Sequence, residues 1–147
     1  MTIGIGNDHR GYELKKQLIE YLKDKKYEIK DLGSNSQQST DYPIYAFKVG
    51  EAINNKQIDL GILICRTGIG MSIACNKVKG IRCGKVDNKE EARLCKVDNN
   101  CNVIALSYEK KLDELKEIID TFITTQFTNE ERHARRINLI KEYEERC

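Results

Sequence analysis

The stretch Leu60-Gly-Ile-Leu-Ile-Cys65-Arg-Thr-Gly68-Ile-Gly70-Met-Ser72 decides the fold predicted for this chain. Its first six residues form an apolar run between polar flanks, which is typical of a strand buried on both faces of a parallel sheet. A glycine loop follows, and a helix is predicted to begin near Met71. Because parallel sheets bind ligands at the carboxyl ends of their strands, Cys65 is predicted to lie at a functional edge.

The same alternation of strand and helix extends along the whole chain. Strands are predicted over residues 3–6, 27–32, 60–65, 81–86 and 103–106. Apolar residues recur at helical spacing between them, as at Leu14, Leu18 and Leu22, and a helical stripe follows the last strand at Leu112, Leu115, Ile118, Ile119, Phe122 and Ile123. Right-handed crossovers between such strands give a doubly wound, five-stranded parallel sheet, an α/β three-layer sandwich of the Rossmann-like type.

The length of 147 residues predicts one domain, residues 1–147. Residues 129–146 are predicted to form an extra C-terminal helix whose apolar residues, Ile137, Ile140 and Tyr143, require a partner surface. Capping-box spacing predicts helix starts at Asp87 and at Thr128.

The composition narrows the class of partner and the compartment. Lys and Arg number 25 against 23 Asp and Glu, so the formal charge of +2 gives no reason to expect nucleic acid or a membrane as partner. No apolar run approaches membrane-spanning length and no signal peptide is evident, so a cytoplasmic location is expected. The six cysteines lack metal-site or redox-motif spacing and are expected to be structural thiols, apart from Cys65.

Cys65 has two interpretations. As the last residue of a strand before a glycine loop and a helix, it lies where inward amides and a helix N-terminus stabilise an anion or a thiolate. A free cysteine also packs commonly as a small buried apolar residue. The sequence alone leaves both interpretations open.

Two further groups of polar residues could carry function. Asp8 and His9 follow the first strand and are predicted at the same sheet edge as Cys65, although Asp8 also suits a helix cap and His9 a solvated loop. Arg132 and Arg136 lie four residues apart, so one helix face could hold a phosphate between them, or could simply be solvated.

Several motifs together resemble one family, the type B ribose-5-phosphate isomerases and the related subunits of galactose-6-phosphate isomerase. They span nearly the whole chain in the order Gly6-x-Asp8-His9-x-Gly11, Thr40-Asp41-Tyr42-Pro43, Cys65-x-Thr67-Gly68-x-Gly70-x-Ser72, Gly80-Ile81-Arg82, Asn99-x-x-Asn102-Val103 and Arg132-His133-x-x-Arg136.

The resemblance implies interconversion of an aldose phosphate and a ketose phosphate, without metal or cofactor. It also implies a homodimer or a dimer of dimers with active sites at the interface. By this resemblance Cys65 is the base, Thr67 assists it, and Asp98 stands where the family has its ring-opening histidine. The implied substrate-binding residues are Asp8, His9, Tyr42, Arg66, Gly68, Ile69, Gly70, Met71, Ser72, Asn99, Arg132, His133 and Arg136.

Three positions depart from the family pattern. Arg66 replaces a glycine, Asp98 replaces the histidine, and Glu109 replaces an arginine that contacts phosphate. The expected substrate pair is ribose 5-phosphate and ribulose 5-phosphate, and the alternatives are a hexose 6-phosphate such as galactose or allose 6-phosphate, or a non-catalytic sugar-phosphate-binding subunit. A cysteine-dependent phosphatase is disfavoured, because the arginine it needs six residues after the cysteine is Met71.

Overall fold

The computed structural model describes residues 1–147 and contains one five-stranded parallel sheet. The strand order is β2-β1-β3-β5-β4. The strands are β1 (Thr2–Asn7), β2 (Glu28–Asp31), β3 (Leu60–Cys65), β4 (Cys83–Lys85) and β5 (Val103–Ser107). The helices are α1 (Tyr12–Asp24), α2 (Tyr42–Asn54), α3 (Ile69–Cys75), α4 (Lys89–Val97), α5 (Leu112–Thr124) and α6 (Glu131–Glu145), and a short 3₁₀ turn spans His9–Gly11.

Helices cover both faces of the sheet, which confirms the predicted three-layer architecture. Alternate residues of β1, β3 and β5 pack with α1, α4 and α5 on one face. The other residues of β3 and β5, with Cys83 of β4, pack with α2 and α3 on the opposite face, where Cys65 lies beside Met71 and Cys75. The hydrophobic stripe of α5 is buried as its spacing predicts.

Several element boundaries differ from the sequence prediction. α3 begins at Ile69, two residues before Met71, because Gly68 takes the left-handed conformation that starts the helix. α4 is capped by Asn88 and not by Asp87, since the Asn88 side chain accepts a hydrogen bond from Glu91 N at 2.8 Å.

The C-terminal helix α6 lies inside the predicted range of residues 129–146. The residue before its first turn is Glu130, which makes no side-chain cap. Thr128, the expected cap, instead donates its hydroxyl to the Val97 carbonyl at 3.3 Å, which ties the start of α6 to the end of α4. None of the helices combines the length and the apolar character needed to cross a membrane.

The sheet has its switch point between β1 and β3. After β1 the chain adds β2 on one side, whereas after β3 it builds β4 and β5 on the other side. Loops that leave two neighbouring strands in opposite directions open a crevice at the carboxyl edge of the sheet, where ligands bind in such folds. The segments after Asn7 and Cys65 form this crevice.

A buried lysine anchors the loop that follows β2. Lys15 of α1 is 0% exposed, and its ammonium group contacts the Asp31 carboxylate at 2.9 Å, the Asn35 amide oxygen at 3.2 Å and the Ser34 carbonyl. A buried ammonium group is tolerated only with such partners. Lys15 therefore fixes the start of the loop that leads to Thr40 and α2.

Candidate active site

Cys65 ends β3 at the carboxyl edge of the sheet, as predicted. The residue is 6% exposed and faces the layer of α2 and α3. Its Sγ accepts a hydrogen bond from Gly68 N at 3.2 Å, so the backbone folds back over the sulfur. A backbone N–H aimed at sulfur stabilises negative charge there, which suits a proton acceptor.

Gly68 enables this turn in two ways. Its φ is +81°, and a Cβ at this position would lie 3.1 Å from the Ala105 carbonyl oxygen and 3.2 Å from its carbon. Backbone atoms of β5 cannot move aside as a flexible side chain can. Only glycine therefore fits between Cys65 and β5.

We expect Gly68→Ala to destabilise the protein and to reduce activity, and Gly80→Ala is the matched control. Both glycines have φ above +80°, so both variants carry a conformational cost of roughly 1–2 kcal/mol. Only Gly68 also faces backbone atoms, because the single close neighbour of a Cβ at Gly80 is the Asn54 side-chain oxygen at 3.2 Å. Chemical denaturation and initial rates measure both effects, and equal losses in the two variants would contradict this account.

The first turn of α3 presents two unpaired amides beside Cys65. Ser72 N donates to Gly68 O and Ile69 N donates to Thr67 Oγ1, whereas the N–H groups of Gly70 and Met71 have no protein acceptor. Such orphan donors at a helix start bind anionic oxygen. The Met71 side chain is fully buried in the core, so only its amide can reach a ligand.

Other predicted residues complete the loop after Cys65. Ile69 is exposed, and the Ser72 hydroxyl donates to the Ile69 carbonyl at 2.8 Å. The ring of Tyr42, at the start of α2, lies over Gly70, where a Cβ would be 2.7 Å from Cζ and 2.9 Å from the phenol oxygen. Gly70 thus lets a phenol approach the two free amides.

Asp8 and His9 border the same crevice. Asp8 is bound to β3 through its N–H, which donates to Ile64 O, and its carboxylate caps the 3₁₀ turn by accepting from Gly11 N at 2.9 Å. His9 Nδ1 accepts from Thr40 N at 3.3 Å. Because Nδ1 is an acceptor, the proton of the neutral ring is on Nε2, which can donate to a ligand oxygen.

Two of the residues that depart from the family pattern, Arg66 and Glu109, form an ion pair at this edge. Arg66 Nε contacts Glu109 Oε1 at 3.1 Å, and both side chains are exposed. The two loops are also joined by the Ser107 hydroxyl, which donates to Arg66 O at 2.5 Å, and by Tyr108 N, which donates to Cys65 O at 3.0 Å. The cation after Cys65 and the anion after β5 are therefore neighbours in the structure.

Sequence reasoning did not assign Thr40 or Tyr108 to this edge as site residues, and it considered Arg10 only as a substitute for the cation missing at position 109. The nearby Tyr108 hydroxyl raises the pKa of Arg10 above its usual value, and the Asp8 charge raises it further. Thr40 orients His9, as described above. The only available signal was that Arg10 and Thr40 stand within or next to motifs that also hold candidate residues.

The remaining predicted residues lie together elsewhere in the chain. Asp98 is the C-cap of α4, and its Oδ1 is 3.4 Å from Nε2 of the buried His133. Asn99 follows, with its carbonyl bound by Arg82 Nε at 2.9 Å and its side chain exposed. Arg132 and Arg136 are exposed on the first turns of α6, where Arg132 pairs with Glu130 and Arg136 has no ion-pair partner.

The two groups occupy opposite edges of the sheet. Cys65 pairs with Ser107 at the carboxyl end of β5, whereas Asn102, which precedes β5, accepts a hydrogen bond from Gly61 N at the other end. With a rise of about 3.3 Å per residue, the four steps between these ends alone separate the groups by roughly 13 Å. One chain therefore does not bring Asp98 and Asn99 to Cys65.

The two main cavities lie near α6 and not at Cys65. A cavity of about 540 Å³ lies between β4, α4 and α6 and is lined in part by Asn99, and another of about 670 Å³ lies between α6 and the segment after α3. Cys65 lines neither of them. The carboxyl edge of a single chain therefore lies outside both main cavities.

Comparison with known proteins agrees with the sequence motifs. A profile of the ribose/galactose isomerase family matches residues 3–140. The chain belongs to the ribose/galactose isomerase family. Ribose-5-phosphate isomerase B of Escherichia coli K12 is 38% identical over 145 residues, which cover 98% of this chain and 97% of that protein. The family predicted from the motifs is confirmed, and with it the aldose-ketose isomerase class of enzyme.

Solved structures of family members share the fold over nearly their whole length. Ribose-5-phosphate isomerase B of Clostridium thermocellum superposes with a TM-score of 0.96 at 42% identity, covering 99% of both chains. The Mycoplasma genitalium enzyme with bound ribulose 5-phosphate superposes with a TM-score of 0.94 at 40% identity, covering 99% of this chain and 97% of that chain.

Proposed function

We propose that this isomerase interconverts ribose 5-phosphate and ribulose 5-phosphate, with Cys65 as the base. The observation that carries the proposal is the position of Cys65 Sγ at the switch point of the sheet, next to the unpaired amides of Gly70 and Met71. A proton acceptor and a site for developing negative charge are the two elements that the reaction needs. The ligand in the Mycoplasma genitalium structure supports the same substrate pair.

The chemical step follows from this arrangement. Cys65 removes the proton from C2 of the open-chain aldose, which places negative charge on the carbonyl oxygen of C1. The amides of Gly70 and Met71 stabilise this enediolate, a type of interaction that contributes about 3–4 kcal/mol per donor in other enzymes. Cys65 then returns the proton to C1 while the proton of the C2 hydroxyl passes to the C1 oxygen, so the ketose carbonyl forms at C2. Thr67 assists by holding the loop through its bond from Ile69 N.

The other side of the site belongs, in this proposal, to a second copy of the chain. The partner copy supplies Asp98 and Asn99 near the sugar, and Arg132, His133 and Arg136 near the phosphate. Asp98 takes part in proton transfer at the ring oxygen during ring opening, and His133 lies beside Asp98. Asp8, His9 and Tyr42 of the first copy contact the hydroxyls and the phosphate from the opposite side.

Exposed apolar residues support a dimer or a dimer of dimers. α6 exposes Leu139, Ile140 and Tyr143, and α3 exposes Ile69 and Ile73. Leu139, Ile140 and Tyr143 also line one cavity together, and clustered apolar surface of this kind marks an interaction site. A two-fold axis next to α3 would bring the carboxyl edge of one sheet to the opposite edge of the other. A cytoplasmic location remains part of the proposal.

The pair formed by Arg66 and Glu109 favours a hexose 6-phosphate as the second candidate substrate. It alters the charge at the rim of the crevice, where the sequence departs from the family pattern. A longer sugar would place its phosphate beyond the family's usual contact at position 109. Arg66 is then the cation nearest to Cys65 in the sequence.

A panel of substrates tests the proposal. The purified protein is incubated with ribose, ribulose, allose and galactose phosphates, and aldose-ketose conversion is followed by NMR. We expect ribose 5-phosphate to give the highest kcat/KM. A higher kcat/KM for a hexose 6-phosphate would show that the second candidate is the substrate. Binding without turnover of any of these sugar phosphates would show that the protein is a non-catalytic sugar-phosphate-binding subunit.

A further inference from the structure

Four buried thiols form two contacting pairs close to β4. Cys83 of β4 contacts Cys75 at the end of α3, and Cys95 of α4 contacts Cys101, just before β5. All four are reduced and buried. The reaction described above uses none of them.

Cys95 and Cys101 are arranged as a disulfide requires. Cys101 N donates to Cys95 O at 3.0 Å, so the two residues are joined through the backbone. Such a bond holds the two backbones close together, and disulfides join residues whose Cα atoms lie about 4.4–6.8 Å apart. A Cβ built at Gly84 would lie 2.4 Å from Cys95 Sγ and 3.7 Å from Cys101 Sγ, so both sulfurs lie over the same glycine.

The geometry points to a reversible oxidation site: Cys95 and Cys101 form a disulfide when the protein meets a small peroxide, and the bond alters the segment between them. That segment, residues 96–100, contains Asp98 and Asn99. The effect of the disulfide on activity rests on the proposed function, whereas the formation of the disulfide does not.

The surroundings make Cys101 the attacking sulfur. The neighbouring Cys95 thiol lowers the pKa of Cys101, and the nearby charges of Arg82 and Lys96 lower it further, against the effect of burial. The same contact, together with burial, raises the pKa of Cys95, which keeps its proton. Both residues line the cavity of about 540 Å³ between β4, α4 and α6, which is large enough to admit a peroxide.

The second thiol pair is less suited to this reaction. The contact with Cys75 and burial raise the pKa of Cys83, and the other two thiols raise it further, although Cys83 lines the same cavity. Cys75 is fully buried and lines neither main cavity. Cys75 and Cys83 therefore serve as an internal control for Cys95 and Cys101, because they are also cysteines and are buried to a similar extent.

The oxidation balances with hydrogen peroxide as the oxidant. The Cys101 thiolate attacks the O–O bond, takes one oxygen as a sulfenic acid and releases hydroxide, which a proton converts to water. The Cys95 thiol then attacks the sulfenic sulfur, the S–O bond breaks, and a second water leaves. Two thiols and one peroxide give one disulfide and two waters.

The new bond changes the segment that it encloses. The two sulfurs, which both lie over Gly84, must approach to about 2.05 Å to form the disulfide. Cys95 lies in the last turn of α4, whose C-cap is Asp98, so this approach moves the end of the helix. The contact of Asp98 with His133, at 3.4 Å, is the first one that such a shift disturbs.

The test treats the wild-type protein with hydrogen peroxide and maps disulfides by mass spectrometry of proteolytic peptides. We expect a bond between Cys95 and Cys101, altered hydrogen exchange of peptides covering residues 96–100, and loss of isomerase activity that dithiothreitol reverses. Cys101→Ser should lose activity at least about tenfold more slowly, whereas Cys83→Ser should behave as the wild type.

Each alternative outcome can be told apart. A peptide map without the Cys95–Cys101 bond overturns the inference, even if activity falls through oxidation of Cys65. A bond that forms without any change in hydrogen exchange overturns the effect on the segment. If the protein turns over no sugar phosphate, the proposed function fails, but the map and the exchange data still decide the thiol site. Both come from the wild-type chain, so poor folding of a variant does not affect them.

Discussion

Cys65→Ala is expected to lower kcat for ribose 5-phosphate by about 10²–10⁴-fold, the usual contribution of a general base. Alanine keeps the strand and the glycine loop but cannot accept the proton from C2. The two free amides of α3 remain, so ribose 5-phosphate should still bind. Initial rates measure the loss of turnover, and calorimetric titration of the variant measures the retained affinity.

Cys75→Ala is the matched control for this experiment. Cys75 lies in the same core layer and is at least as deeply buried, so its variant also loses a buried sulfur. We expect a similar loss of stability in the two variants but nearly wild-type kcat in Cys75→Ala. Turnover within a factor of about two of wild type in Cys65→Ala would remove the thiol from the mechanism.

The second large effect is the recovery of activity in mixed dimers. One chain carries Cys65→Ala and the other carries Asn99→Ala with Arg136→Ala, and each is inactive alone. If one copy supplies Cys65 and the other supplies Asn99 and Arg136, a mixed dimer has one intact site and one doubly defective site. Co-expression with two different tags isolates mixed dimers, and these should show about half of the wild-type specific activity.

A matched pair of chains controls for subunit mixing itself. Here the second chain also carries Cys65→Ala, so every site lacks the base and the mixed dimer should stay inactive. Recovery in this control would trace the activity to contamination. Absence of recovery in the first mixture, with mixed dimers verified by native mass spectrometry, would place the whole site within one chain.

The spacing of the apolar residues along the chain was enough to predict the parallel sheet and the helices that cover it. The continuous run of β3 and the stripe of α5 are both buried as expected. Boundaries depended on local bonds that the residue types do not specify: Asp87 and Asn88 are both good caps, and only the bond from Glu91 N to Asn88 distinguishes them. The sequence prediction chose the wrong one of two chemically similar neighbours.

The candidate site was predictable at one edge and not as a whole. Two strands that are parallel neighbours must end side by side, so Asp8 and Cys65 could be placed together from the sequence. The position of Asn99 depends on the direction of α4, which returns the chain to the opposite edge. The contact between Arg66 and Glu109 joins residues 43 positions apart, and no spacing in the sequence predicts it.

Met71 offers its amide to the crevice while its side chain fills the interior beside Ala46 and Val49. Met71 therefore fills part of the core with its side chain and, at the same time, positions an amide of the site. Substitutions that change the fit of α2 against α3 should shift this amide, and proteins bearing them should show slower catalysis before they show any loss of folding. Screens that score only abundance would miss such variants.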